Sequence, residues 1–330
     1  MTNIALDVMG GDNCPDINID GAYDALNMLK DIHIKLVGPE ERIEKAIASW
    51  DKSLKDRVTI VDANEVISTE ESPVKALRAK PDSSIVRGLK LVKEGEADAF
   101  ISAGSTGAIL AGGQLIVGRL KGVLRTPLAT MIPTRKGFTL FLDCGANVDA
   151  KPEWLQQFAV MGSIYMDKVQ DKPGAVVKLV NLGTEEEKGN ALTKAANQLL
   201  NDTEGINYQG FIESRDVVTG AADIVVADAF TGNAIIKTYE GTADMLFSLI
   251  KEVLKSGFAT RIAALLIMKP LKEKLKEFDV AKCGGAILLG LRGVVVKCHG
   301  NAKRGEIAMA IEKAAKYVSE DVNGIIEKAM

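Results

Sequence analysis

The sequence predicts an α/β protein with three layers, α/β/α, built on a mostly parallel sheet whose two faces are both covered by helices. Two observations predict it. Short runs rich in Ile and Val recur along the 330 residues, apolar at successive positions rather than alternating, as strands buried on both faces require. Between most of them lie segments with helical periodicity, the order expected of βα units. No internal repeat, low-complexity linker or break in composition divides the chain, so residues 1–330 are expected to form one body.

Taken in order, the strand runs are "NIALDV", "HIKLVG", "RVTIVD", "DAFISAG", "TLFLDCG", "AVVKLVNLG", "DIVVADAF" and "VVVKCHG". Six of the eight end in Gly or Asp, and the other two carry an Asp near their end, residues that turn the chain. Helical patterns cover Gly21–Lys30, Glu40–Trp50, Ser83–Glu94, Pro152–Gln170 and Asn190–Glu204. From Lys251 to Lys276 the character changes. Seven basic residues there face two acidic ones, and nine of the eleven residues from Phe258 to Met268 are apolar. Gly257 and Pro270 are expected to delimit a short helix, too short to span a bilayer. A helical hairpin at about 240–280 follows. Its pattern fits a buried interface equally with a surface touching anionic lipid or an acidic protein.

Composition excludes several functions. A net charge of −3 does not suit nucleic-acid binding. Four cysteines (Cys14, Cys144, Cys283, Cys298) form no CxxC pair, and His33 and His299 are the only histidines, so no disulfide, structural zinc or other metal site is expected. The amino-terminal residues show no secretory pattern, and a cytoplasmic setting is expected. The sequence contains no P-loop, Rossmann G-x-G-x-x-G after the first strand, H-E-x-x-H or G-x-S-x-G, and no cofactor is expected.

The turns after the strands carry the chemistry: "MGGD", "SAGSTGA", "DCGANVDAKPE", "NLGTEEEKGN", "DAFTGN" and "CHGN". Ligands of open α/β sheets lie beyond the carboxyl ends of strands, so these turns are expected on one rim. Backbone N–H groups at Gly10, Gly11 and Gly107 and the hydroxyls of Ser105, Thr106, Thr184 and Thr231 suit an anion such as phosphate. Asn147 and Gly232 belong to the same turns. Lys188 is a candidate to pair with phosphate or polarise a carbonyl. Asn233 could orient an oxyanion or cap the following helix, or do both. Asp7 and Asp12 are expected to fix turns, because carboxylates repel an anion, and Asp228 is counted with Thr231 and Gly232 among the candidate phosphate- or substrate-binding residues. His299, at the end of the last strand, is a candidate proton carrier. Covalent thiol catalysis is not expected, since Cys is also a common small core residue.

In order, "DVMGGDNCPD", "ISAGSTGA", "LDCGANVDAKPE", "NLGTEEEKGN", "ADAFTGN" and "KCHG" resemble the PlsX family, the acyl carrier protein (ACP):phosphate acyltransferases of bacterial phospholipid synthesis. The resemblance runs from Asp7 to Gly300. Asn13-Cys14 stand where the family has His-Ala, which leaves His299 as the candidate histidine, and Ser105 replaces an Asn. The resemblance implies an isopropylmalate dehydrogenase- or phosphotransacetylase-like sandwich and a homodimer. It implies transfer of a long-chain acyl group from acyl-ACP to inorganic phosphate, the acyl phosphate then passing to a membrane glycerol-3-phosphate acyltransferase. It also implies a peripheral membrane enzyme, with Lys255, Phe258, Arg261, Leu265, Leu266 and Lys269 as candidate contacts to membrane or ACP. Two other readings stay open: an acyl-CoA:phosphate transferase of phosphotransacetylase type, and a non-enzymatic scaffold that binds ACP at a membrane.

Overall fold

The computed structural model describes residues 1–275 and 283–330. Lys276 and the far end of the 240–280 hairpin lie outside the described residues. The chain opens with β1 (Thr2–Asp7), α1 (Asp16–Met28), β2 (Ile32–Gly38), α2 (Glu40–Ile47), the single turn α3 (Lys52–Lys55) and β3 (Val58–Asp62). Then come α4 (Pro73–Ala79), α5 (Ser84–Lys93), β4 (Ala99–Ser102) and α6 (Thr106–Gly112), which runs into a π-helical turn at Gly113–Val117. A hairpin of β5 (Leu128–Thr134) and β6 (Gly137–Leu142) leads to α7 (Pro152–Lys168), β7 (Val176–Val180), α8 (Ala191–Asn201), β8 (Asn207–Ile212), the turn α9 (Ser214–Val217) and β9 (Ile224–Val226). Two long helices follow, α10 (Ala229–Lys255) and α11 (Phe258–Leu275). The chain closes with β10 (Ala286–Leu288), β11 (Val294–Lys297), α12 (Arg304–Ser319) and α13 (Val322–Ala329).

All eight strand runs read from the sequence form strands, and β5, β8 and β10 are additional. The eleven strands make one sheet in the order β3-β2-β1-β4-β11-β10-β5-β6-β9-β7-β8. Both faces are buried: along β1, Ile4 and Leu6 enter one apolar cluster and Ala5 the other. On one face α1 lies so close to α12 that a Cβ on Gly21 would sit 2.5 Å from the Cβ of Ile307. Side chains start several helices: Ser83 caps α5, Ser105 α6, Asn190 α8 and Asp228 α10.

One expectation about the rim is corrected. β3, β2, β1, β4 and β11 are mutually parallel, and β6, β9, β7 and β8 are mutually parallel, but β10 and β5 pair antiparallel between the two groups. Counting senses along the sheet, the two groups run in opposite directions, so the six turns fall on two edges rather than one. Twist then changes their relation. At roughly 20–25° between neighbours, the five steps from β4 to β9 accumulate about 100–125°, which swings the two carboxyl edges towards each other.

A second correction concerns Pro270, which lies inside α11 instead of ending it. A proline removes one helical N–H and kinks the helix. Pro270 is exposed, and water can satisfy the carbonyl it frees.

Candidate active site

Three turns interlock at the carboxyl ends of β1, β4 and β11. Asp7, buried at the end of β1, accepts hydrogen bonds from Ser102 Oγ at 2.6 Å and from the Met9 N–H at 2.9 Å. Ser102 Oγ in turn accepts from the Gly104 N–H, which ties the first turn to the fourth strand. Burial pushes the Asp7 carboxyl up, against the pull of these bonds. A Cβ on Gly10 would meet the Gly104 nitrogen at 2.5 Å. Gly11 has φ +93°, and its Cβ would meet the Gly300 carbonyl at 2.8 Å. Asp12 N–H donates to that same carbonyl at 2.7 Å. These glycines therefore answer first to neighbouring backbone. The turns enclose a cavity of about 360 Å³ whose wall includes Gly10, Gly11, Asp12, Ser105, Thr106 and Lys297. Ser105 is buried and its hydroxyl caps α6, whereas Thr106 is exposed. Gly107 allows α6 to approach Pro73 of α4.

A second cavity, about 230 Å³, adjoins the first and shares Thr106 and Lys297 with it. Its wall holds Asn233 and Lys237 from α10 together with His299 and Glu306. Here the two halves of the sheet meet, since α10 follows β9 and His299 follows β11. The approach is set at the start of α10. Asp228 caps the helix by accepting from Thr231 N–H at 2.9 Å and Thr231 Oγ1 at 2.7 Å. Gly232 lies against the main chain of Asp143, whose carbonyl a Cβ would meet at 2.0 Å. Asp228, Thr231 and Gly232 thus seat the helix, and Asn233 and Lys237, one turn apart, face the cleft. The His299 ring is held at Nδ1 by Asn301 Oδ1, 2.9 Å away, and its backbone N–H donates to Glu306. Asn147, buried, donates to Asp143 Oδ2 and to the Thr126 carbonyl, a structural task within the β6 turn.

Lys188 and Thr184 stand elsewhere. Their turn follows β7, five strands from β11, and is exposed. Lys188 Nζ pairs with Glu185 at 2.7 Å, and this carboxylate raises the lysine's pKa. Neither residue lines either of these two cavities, but Asn181, Leu182 and Asn190 of the same turn line a third, of about 420 Å³, together with Asp228 and Thr231 at the start of α10. The cations brought to the cleft are Lys237 and Lys297. Sequence reasoning missed both, although each carried a signal. Lys237 is four residues beyond Asn233 on one helix, and Lys297 interrupts an otherwise apolar strand beside "CHG". The thiols of Cys144 and Cys298 are pushed well above the usual range by burial, so neither is a ready nucleophile.

The family model described as "Fatty acid synthesis protein" matches residues 2–324. A phosphate acyltransferase of Clostridium beijerinckii is 47% identical over 320 residues, covering 97% of this chain and 96% of its own. One of Bacillus pumilus is 46% identical over 326 residues, covering 98% and 96%. The chain belongs to the phosphate acyltransferase family. The fold agrees: a phosphotransacetylase of Streptococcus pyogenes superposes with a TM-score of 0.60 at 19% identity, covering 96% of this chain and 94% of its own. A branched-chain phosphotransacylase of Enterococcus faecalis gives 0.59 at 15%, covering 96% and 99%. A phosphate acyltransferase has to place an anion beside an acyl carbonyl, and the cleft built here supplies cations, an amide and an imidazole at one point.

Proposed function

We propose that this enzyme transfers a long-chain fatty acyl group from acyl-ACP to inorganic phosphate, giving acyl phosphate and free ACP. The observation that carries the reading is the meeting of Asn233 and His299, from opposite halves of the sheet, in one cleft with two lysines. Phosphate at neutral pH is already an anionic nucleophile, so the site's task is placement and stabilisation of charge rather than strong base catalysis. A phosphate oxygen attacks the thioester carbonyl carbon, and the resulting oxyanion is stabilised by donors. The C–S bond then breaks, the acyl–oxygen bond remains, and the departing sulfur takes a proton. Asn233 orients the phosphate or the oxyanion, and His299 delivers the proton. Lys188, paired with Glu185 on the turn after β7, is a candidate to pair with phosphate or polarise the carbonyl.

The same reading extends to location. α10 and α11 pack on each other and expose Phe258 at 83%, Leu265 at 81% and Leu266 at 77% beside Lys255, Arg261 and Lys269. Apolar side chains among cations suit an anionic membrane surface or acidic ACP. No helix among the described residues is long and apolar enough to cross a membrane, and the contact proposed here is a peripheral one. Exposed Met245, Leu246, Leu249 and Val253 on α10 support a homodimer formed through this helix. At the cytoplasmic membrane face the acyl phosphate would pass to a membrane glycerol-3-phosphate acyltransferase.

The deciding experiment is thiol release from palmitoyl-ACP with and without orthophosphate. Wild type is expected to release thiol only with phosphate. Asn233→Ala should lower kcat about 10²-fold, the cost of one oxyanion donor. Phosphate-independent release, or none, would overturn the proposal.

A further inference from the structure

Lys297 is the last residue of β11 and forms part of the wall of both cavities. Its Nζ donates to the main-chain carbonyl of Cys298, and no carboxylate among the described residues lies within ion-pair distance of it. The other lysines near candidate chemistry differ in this respect. Lys188 is paired with Glu185, and Lys237 with Glu240 at 2.6 Å. The surroundings of Lys297 act in two directions. Burial disfavours its charge, and Lys237 adds to that effect. Asp12 and Glu306, at longer range, favour the charge, as does the Cys298 sulfur in its ionised form. A half-buried cation without a carboxylate partner has lost water and gained little in return. An anion entering the cleft supplies the missing interaction.

We propose that Lys297 binds the phosphate nucleophile at the junction of the two cavities. Thr106 borders the same point, and Asn233 and His299 lie on the side from which the thioester would be addressed. This placement rests on the reading that phosphate is the acyl acceptor. It also gives the "VVVKCHG" run a second use: one residue holds the nucleophile, and the next but one serves the leaving group.

The test is steady-state thiol release from palmitoyl-ACP against orthophosphate concentration in wild type, Lys297→Met and Lys297→Arg. Lys297→Met should raise the KM for phosphate at least about tenfold while leaving the KM for acyl-ACP within about twofold, and Lys297→Arg should recover part of the loss. The pH profile adds a readout that a purely structural lysine would not move. In wild type the alkaline fall of kcat/KM for phosphate should come below the ordinary lysine value of 10.5, because the folded side chain loses its proton early. In Lys297→Arg that fall should vanish, since arginine stays charged. An unchanged phosphate KM in folded Lys297→Met, or a defect confined to acyl-ACP, overturns the proposal. If wild type shows no phosphate-dependent release, the acyltransfer reading fails, and equilibrium dialysis of labelled orthophosphate judges Lys297 by itself. Binding that wild type has and Lys297→Met lacks supports the site, and equal binding overturns it. Should Lys297→Met fail to fold, the charge-retaining Lys297→Arg decides through its pH profile.

Discussion

Asp143 accepts five hydrogen bonds from a fully buried position. Oδ1 takes the N–H groups of Leu128, Gly145 and Ala146, and Oδ2 takes the N–H and the side-chain amide of Asn147. Both oxygens act only as acceptors, so neither orientation of an asparagine fits: its NH2 group would face N–H donors. Asp143→Asn is therefore expected to cost about 2–4 kcal/mol of stability, read as a lower midpoint in urea at unchanged slope. An isosteric change with no loss would mean that this turn is held by other bonds. At this scale the sequence was only partly legible. That Asp7 fixes a turn follows from the repulsion of like charges. That Asp143 organises the β6 turn does not, because "DCGAN" gives no hint of which N–H groups will point at which oxygen. Gly10 shows the same limit. The need for glycine was visible, but the reason lies in Gly104, ninety-four residues away and beside it only because β1 and β4 pair.

At the scale of elements, legibility follows apolar continuity. The eight strands read from sequence are unbroken Ile/Val runs, and burial on both faces explains them. The three that escaped lack that signature. β5 contains Pro133 and two threonines, β8 reads "NYQGFI" with a glycine and polar residues, and β10 has three residues. The hairpin α10–α11 was visible by composition, but Pro270 misled because a helix facing solvent can absorb a kink. Its apolar surface gives a prediction of its own. Leu265 and Leu266 are nearly as exposed as in an extended chain, so Leu265→Glu with Leu266→Glu should leave the melting temperature within about 1 °C, as surface changes do. Binding to vesicles containing anionic lipid should fall at least about tenfold, since two leucines leave the apolar layer and two negative charges face the lipid. Undiminished binding by the folded variant would remove the membrane contact and leave the apolar surface to a second copy of the chain.

At the scale of the whole molecule, the site depends on a change of strand sense that no local pattern announces. The turns after β1, β4 and β11 and those after β6, β9 and β7 belong to oppositely directed groups, and only the strands between them, with the accumulated twist, let Asn233 meet His299. Sequence could therefore identify the active turns one by one yet not pair them, which is why Lys237 and Lys297 were passed over. The same architecture predicts a coupling between ligand and stability. The cleft is lined by β11, by the turn after β4 and by α10, elements from both halves of the sheet, so unfolding destroys it. A ligand that binds only the folded chain then stabilises by RT ln(1 + [L]/Kd), about 2.7 kcal/mol at a hundredfold excess over Kd. For a chain of 330 residues, with an unfolding entropy of roughly 2.1 cal/mol/K per residue, that corresponds to a rise of about 4 °C in melting temperature. Orthophosphate is expected to produce this rise in wild type but not in Lys297→Met, with sodium chloride at equal ionic strength as the control. An equal rise in both would place the bound phosphate away from Lys297.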